Sequence, residues 1–119
     1  MTNDARSVAH AYFQHWTEGR FDAAAALLDP ALVVEVPIND YPTRGAFAQA
    51  LSKFGSMLER AELLSELGGD GEALQLYDLQ VRALGRLRVA EHFTIRDGKI
   101  VRVRQVHDTV AVRAQGLGA

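Results

Sequence analysis

The sequence predicts an α+β fold in which three helices precede a meandering antiparallel sheet. Two periodicities carry this reading. Apolar residues recur at three-to-four spacing through the N-terminal part, as in helices packed on one side, and then alternate in steps of two, as in half-buried strands. Turn residues punctuate the chain between these stretches. Helices first and strands afterwards fit α+β rather than an alternating α/β pattern.

Asn3 or Asp4 can cap the first helix, whose stripe is Val8, Ala9, Tyr12, Phe13 and Trp16, and Gly19 ends it. Phe21 to Leu28 is alanine-rich and helical, with Pro30 as its stop. Ala31 to Pro37 alternates Leu32, Val34 and Val36 against Val33 and Glu35, the pattern of a strand. Residues 39–45 are turn chemistry, and Phe47, Leu51, Phe54 and Leu58 then form one helical stripe. Strands follow over 61–67 and 72–83 with a turn at residues 68–71, and Gly85 bends the chain into a final hairpin. The last residues, around Gly116 and Gly118, are expected to be loose.

Register decides which side chains of that final hairpin share a face. A three-residue turn over Arg96, Asp97 and Gly98 pairs Glu91 with Val103 and Phe93 with Val101. It gives an inner face of Leu87, Val89, Glu91, Phe93, Val101, Val103, Gln105 and His107. The outer face then holds Arg88, His92, Thr94, Arg102, Arg104 and Asp108, separating apolar from charged side chains. The preceding strand adds Tyr77, Leu79 and Val81 to the inner face and sets Asp78 opposite His92 outside. Leu74 and Leu76 point outward, as they would beneath a second copy of the chain.

The bulk numbers narrow the function. A chain of 119 residues fits one domain, 1–119, with one core. Its 48% hydrophobic and 24% charged residues are those of an ordinary globule. A net charge of −2 gives no reason to expect nucleic acid or an acidic membrane as partner. The absence of cysteine excludes disulfides and thiolate chemistry. No signal peptide or membrane-length apolar run is visible, so the expected location is cytoplasmic. The four histidines show no zinc-binding spacing, and no metal or cofactor is expected.

Three groups of residues carry a resemblance that runs across nearly the whole chain. They are Tyr12 to Gly19 with Phe21, Asp22 and the helix ending at Asp29 and Pro30; Val36 and Pro37 followed by Arg44 and Gly45; and Glu91 to Val101. In their order and spacing the chain resembles the nuclear transport factor two-like superfamily, which includes the SnoaL-like polyketide cyclases and the ketosteroid isomerases. The resemblance implies a single SnoaL-like domain in which a curved sheet wraps around helices as a cone with a deep apolar pocket, usually in a homodimer. It matches Tyr12 to the isomerases' pocket tyrosine and Glu91 to their protonated carboxylic acid. It also sets Val36 where the isomerases carry their base, and Gln105 where the cyclases carry an acid/base aspartate.

The residues themselves point the same way. Glu91 on an apolar face should hold its proton more tightly and could act as acid or base near neutrality. Tyr12 is either a core aromatic or a hydrogen-bond donor to Glu91 or a ligand, and His107 is either a proton relay or a strand-end histidine near solvent. Gln105 can orient a ligand carbonyl. The candidate catalytic set is Glu91, Tyr12 and His107, and the candidate substrate-binding wall is Gln105, Trp16, Val36, Phe54, Tyr77, Phe93 and Val103. Two functions fit: an acid–base isomerase, cyclase or hydrolase acting on an apolar carbonyl, enol or epoxide, or a non-catalytic module that binds an apolar metabolite. A collapsed, vestigial pocket would instead mark an interaction subunit.

Overall fold

The computed structural model describes residues 4–114, so the stretch around Gly116 and Gly118 lies outside the described residues. The elements run α1 (Ala5–Thr17), α2 (Phe21–Ala25), β1 (Leu28–Glu35), α3 (Arg44–Gly55), β2 (Leu58–Gly69), β3 (Glu72–Val81), β4 (Gly85–Arg96), β5 (Lys99–His107) and α4 (Val110–Ala114). The five strands form one open, curved sheet in the order β1-β5-β4-β3-β2. The expected all-antiparallel sheet is in fact mixed, because β1 runs parallel to β5. A long crossover through α3 and three strands separates the two in sequence, and such a connection permits parallel pairing.

α1 starts where Asp4 accepts the Ser7 backbone N–H at 2.7 Å, and Gly19 takes φ 81° just beyond its end. α2 stops at Ala25, short of the predicted Leu28. Leu28 and Pro30 belong to β1 instead. There the ladder shifts between Leu28 and Val33, and an edge strand tolerates a residue without an N–H. α3 is capped by the Thr43 side chain on the Ala46 N–H at 3.1 Å, and it buries Phe47 and Leu51. Leu58, predicted on this helix, opens β2. The helix closes at Gly55, where Phe21 packs so tightly that a Cβ would meet its ring at 2.5 Å.

The final hairpin departs from the three-residue register expected of it. Arg96 pairs with Lys99 around a two-residue turn in which Asp97 has φ 53° and Gly98 φ 75°, both left-handed as a type I′ turn requires. The ladder then slips by one residue between Ile95 and Thr94. Beyond the slip Phe93 faces Val103 and Glu91 faces Gln105, rather than Val101 and Val103. The bulge brings Ile100 fully inward and leaves Val101 half-buried, so Val101 yields its predicted inner place to Ile100. On the outer face Asp78 sits opposite Arg88, not His92, and the guanidinium holds it with bonds of 2.6 and 2.8 Å. His92 instead lies 2.8 Å from Glu72.

Two further slips in the β2–β3 ladder help bend the sheet around α1. The core forms inside this curve. Phe93 packs edge-on to Tyr12 at 5.7 Å and Phe13 tilts onto Tyr77 at 5.0 Å.

Candidate acid–base site

A cavity of about 420 Å³ opens between α1, α3 and the concave face of the sheet, within the size range of small-molecule sites. Trp16, Phe47, Leu51, Phe54, Met57, Leu79, Leu87, Val89 and Val112 supply most of its wall. Its polar members are Tyr12, Asn39, Tyr41, Lys53, Tyr77, Glu91, Gln105 and His107.

Strand pairing assembles the buried end. Glu66, Gln75, Glu91 and Gln105 are successive cross-strand partners, so they form one polar rung across β2, β3, β4 and β5. Glu91 is only 1% exposed. Its Oε1 accepts the Tyr77 hydroxyl at 2.8 Å and its Oε2 accepts the Gln105 amide at 2.8 Å. Burial opposes ionisation while these two donors favour it; burial wins, and the carboxyl is pushed up to about 7. Near neutral pH Glu91 is therefore poised to give or take a proton.

Tyr12, buried at 1%, has no hydrogen-bond partner for its hydroxyl among the described residues. Burial, and secondarily the charge of Glu91, hold its proton well above the ordinary tyrosine range. It is a donor, not a base. The same two causes, with the bond to Glu91, act on Tyr77. His107 has Nδ1 2.9 Å from the Asp108 carbonyl. A carbonyl only accepts, so Nδ1 carries the proton and a neutral ring keeps its lone pair on Nε2.

Of the predicted residues, Tyr12, Trp16, Val36, Phe54, Tyr77, Glu91, Gln105 and His107 line the cavity. Phe93 and Val103 do not: both are fully buried and pair with each other in the layer of core beneath it. Gln105 gives one of its two amide N–H groups to Glu91. Glu35, predicted on the surface, pairs there with Arg102 and Arg104.

Sequence reasoning missed the Tyr77–Glu91 bond and the buried Gln75. Gln75 donates to Glu66 at 2.8 Å and to the Ala9 carbonyl at 3.2 Å, tying the rung to α1. The inward alternation of Val81, Leu79 and Tyr77 reaches Gln75 at its next step, so that signal was present. Among the described residues no cluster of histidine, aspartate and glutamate is arranged to hold a metal ion, and no helix is long and apolar enough to cross a membrane.

Residues 9–103 match the family model of the SnoaL-like domain, and the chain belongs to that family. Its fold is that of the nuclear transport factor two-like superfamily. A protein from Kribbella flavida DSM 17836 superposes with a TM-score of 0.87 at 29% identity, covering 99% of this chain and 100% of that one. A steroid delta-isomerase from Pseudomonas aeruginosa shares the fold with a TM-score of 0.76 at 16% identity, over 94% and 85% of the two chains. An LEH-like epoxide hydrolase from M. tuberculosis does so with a TM-score of 0.73 at 18% identity, over 95% and 90%. No curated protein matches the sequence.

Proposed function

We propose that this protein is a cofactor-independent acid–base enzyme that moves a proton on an apolar carbonyl-type substrate. The observation that carries the reading is Glu91: a carboxyl buried at the cavity, held by two donors, with its proton affinity raised to about 7. The ionised carboxylate would take a proton from the carbon beside the carbonyl. The C–H electron pair would move onto the carbonyl oxygen as an enolate, which the free Tyr12 hydroxyl is suited to meet. Return of the proton from Glu91 to another carbon would complete an isomerisation with atoms and charge balanced. The isomerase and epoxide hydrolase of like fold make this class of chemistry plausible here.

A non-catalytic binding module is the second reading. It is favoured by Val36 at the position the resemblance assigns to the isomerases' base, and by Glu91 being the single carboxylate of the cavity wall among the described residues. A second copy of the chain belongs to either reading. Leu74, Leu76 and Val106 are 46%, 36% and 70% exposed on the outer sheet face, the kind of apolar surface a homodimer covers.

Deuterium uptake by 2-tetralone in heavy water separates the two readings. An enzyme speeds exchange at the carbons beside the carbonyl, and Glu91→Gln removes the acceleration while the ketone still binds. Binding of the ketone with exchange no faster than in buffer would leave the binding module in place of the enzyme.

A further inference from the structure

We propose that the ligand of this cavity is an amphipathic organic anion, which enters with its oxygen-bearing end first and leaves its charge at Lys53. The inference rests on the reading above that the cavity binds a small molecule, and it names the class of that molecule.

The polar groups of the wall are sorted by depth. Tyr12 and Glu91 are each 1% exposed, whereas Lys53 is exposed to solvent. Apolar side chains, among them Phe54, Leu79 and Leu87, make up most of the rest of the wall, with Asn39, Tyr41, Gln105 and His107 half-buried among them. The deep end accommodates an uncharged oxygen but not an anion, because a negative ligand group there would face Glu91 across a medium of low dielectric. The open end has the opposite preference.

Lys53 is the single lysine or arginine of the wall among the described residues. It has no carboxylate partner there, whereas Arg86, Arg88, Arg102 and Arg104 on the outer face are all held by acids. Ala50, Lys53, Phe54 and Met57 all line the cavity, and Ala50, Lys53 and Phe54 follow the spacing of one face of α3. The ammonium is thus carried on the face of the helix that builds the wall. A lysine in the last turn also suits the helix dipole, but that role acts on stability and cannot discriminate between ligands.

Two fluorescent probes of one skeleton test the inference: 1-anilinonaphthalene-8-sulfonate and its uncharged parent N-phenyl-1-naphthylamine. Both are titrated against the full-length protein, Lys53→Ala and the cavity-filling Ala50→Trp, each checked for an unchanged melting transition. Lys53→Ala should weaken the sulfonate about fivefold, the scale of one exposed ion pair, and leave the neutral probe within about twofold. Added salt should weaken the sulfonate selectively. Equal effects of Lys53→Ala on both probes, or none on either, would overturn the anion while leaving cavity binding intact. If neither probe binds, or Ala50→Trp fails to expel them, the ligand-binding reading falls together with the inference.

Discussion

Glu91 and Asp78 are carboxylates on neighbouring strands of one sheet, three ladder steps apart, and so they lie on opposite faces. On the concave face Glu91 is enclosed and its proton affinity rises to about 7, with burial as the main cause. On the convex face Asp78 is held by Arg88, with Arg86 3.6 Å away, and its proton affinity falls, chiefly through the Arg88 hydrogen bond. The acid group is the same. Solvent exclusion dominates inside and cationic donors dominate outside, so the curvature of the sheet separates a reactive carboxyl from inert ones.

Replacing Glu91 tests the inner half of this contrast and should have the largest effect. Proton-transfer activity should fall about 10²–10⁴-fold in Glu91→Gln, the usual contribution of a general acid or base. Stability should also respond to pH. The folded-state value of about 7 lies above the ordinary 4.5, so the folded protein binds this proton more tightly than the unfolded chain. Below about pH 4.5 both states are protonated and Glu91 costs nothing; as pH rises past 7 the folded state bears the full cost of ionisation, on the order of 3 kcal/mol as an upper bound. Glu91→Gln lacks this term. Its advantage over the parent protein in urea melts should grow from pH 4.5 to 7 and then level off; a constant difference would mean the carboxyl is not buried as described.

Tyr12→Phe should have the next largest effect, and it separates function from packing. On the proposed mechanism, removing the hydroxyl takes away the donor to the enolate, with an expected loss of about 10–100-fold in proton transfer. An ordinary buried hydroxyl would also be missed by the fold. This one has no partner among the described residues, so Tyr12→Phe should leave the melting midpoint unchanged or raise it. A marked loss of stability would show that the hydroxyl is satisfied within the protein.

How much of this contrast could be read from the sequence depends on what repeats. Alternation has a period, so Leu87, Val89, Glu91, Phe93, Val103, Gln105 and His107 could be assigned to the inner face without knowing what each one pairs with. The bulge after the Asp97–Gly98 turn has no period. It moved every cross-strand partner by at least one residue and exchanged Val101 for Ile100. The Leu58 error has a different origin: four-residue spacing continues past Gly55, but the packing of Phe21 there is a tertiary contact that a local pattern does not contain. The rung from Glu66 to Gln105 needed three registers at once, which is why Glu91 was legible and its network was not.

The outer face should respond through assembly rather than chemistry. Leu76 faces Ala90, which in turn faces Val106, giving an apolar row between charged ones. Leu76→Lys should weaken self-association about tenfold or more, read by sedimentation across micromolar concentrations, with proton transfer changed far less than in Glu91→Gln. A parent protein that sediments as a monomer throughout would remove the second copy from the proposal.

Asp78→Asn should have the smallest effect, and its sign is the sharpest check on the contrast. The folded-state value of Asp78 lies below its ordinary 3.8, so the unfolded chain binds this proton more tightly. The ion pair with Arg88 therefore contributes stability above about pH 4, and that contribution disappears as pH falls through the folded value. Asp78→Asn should melt slightly earlier than the parent at neutral pH and converge with it in acid, with the difference shrinking as salt is added. Nothing should change between pH 5 and 8, the interval in which Glu91 titrates. A midpoint difference that instead moved through that interval would mean the two faces are electrostatically coupled, and Glu91 would owe its raised value partly to charges outside the cavity.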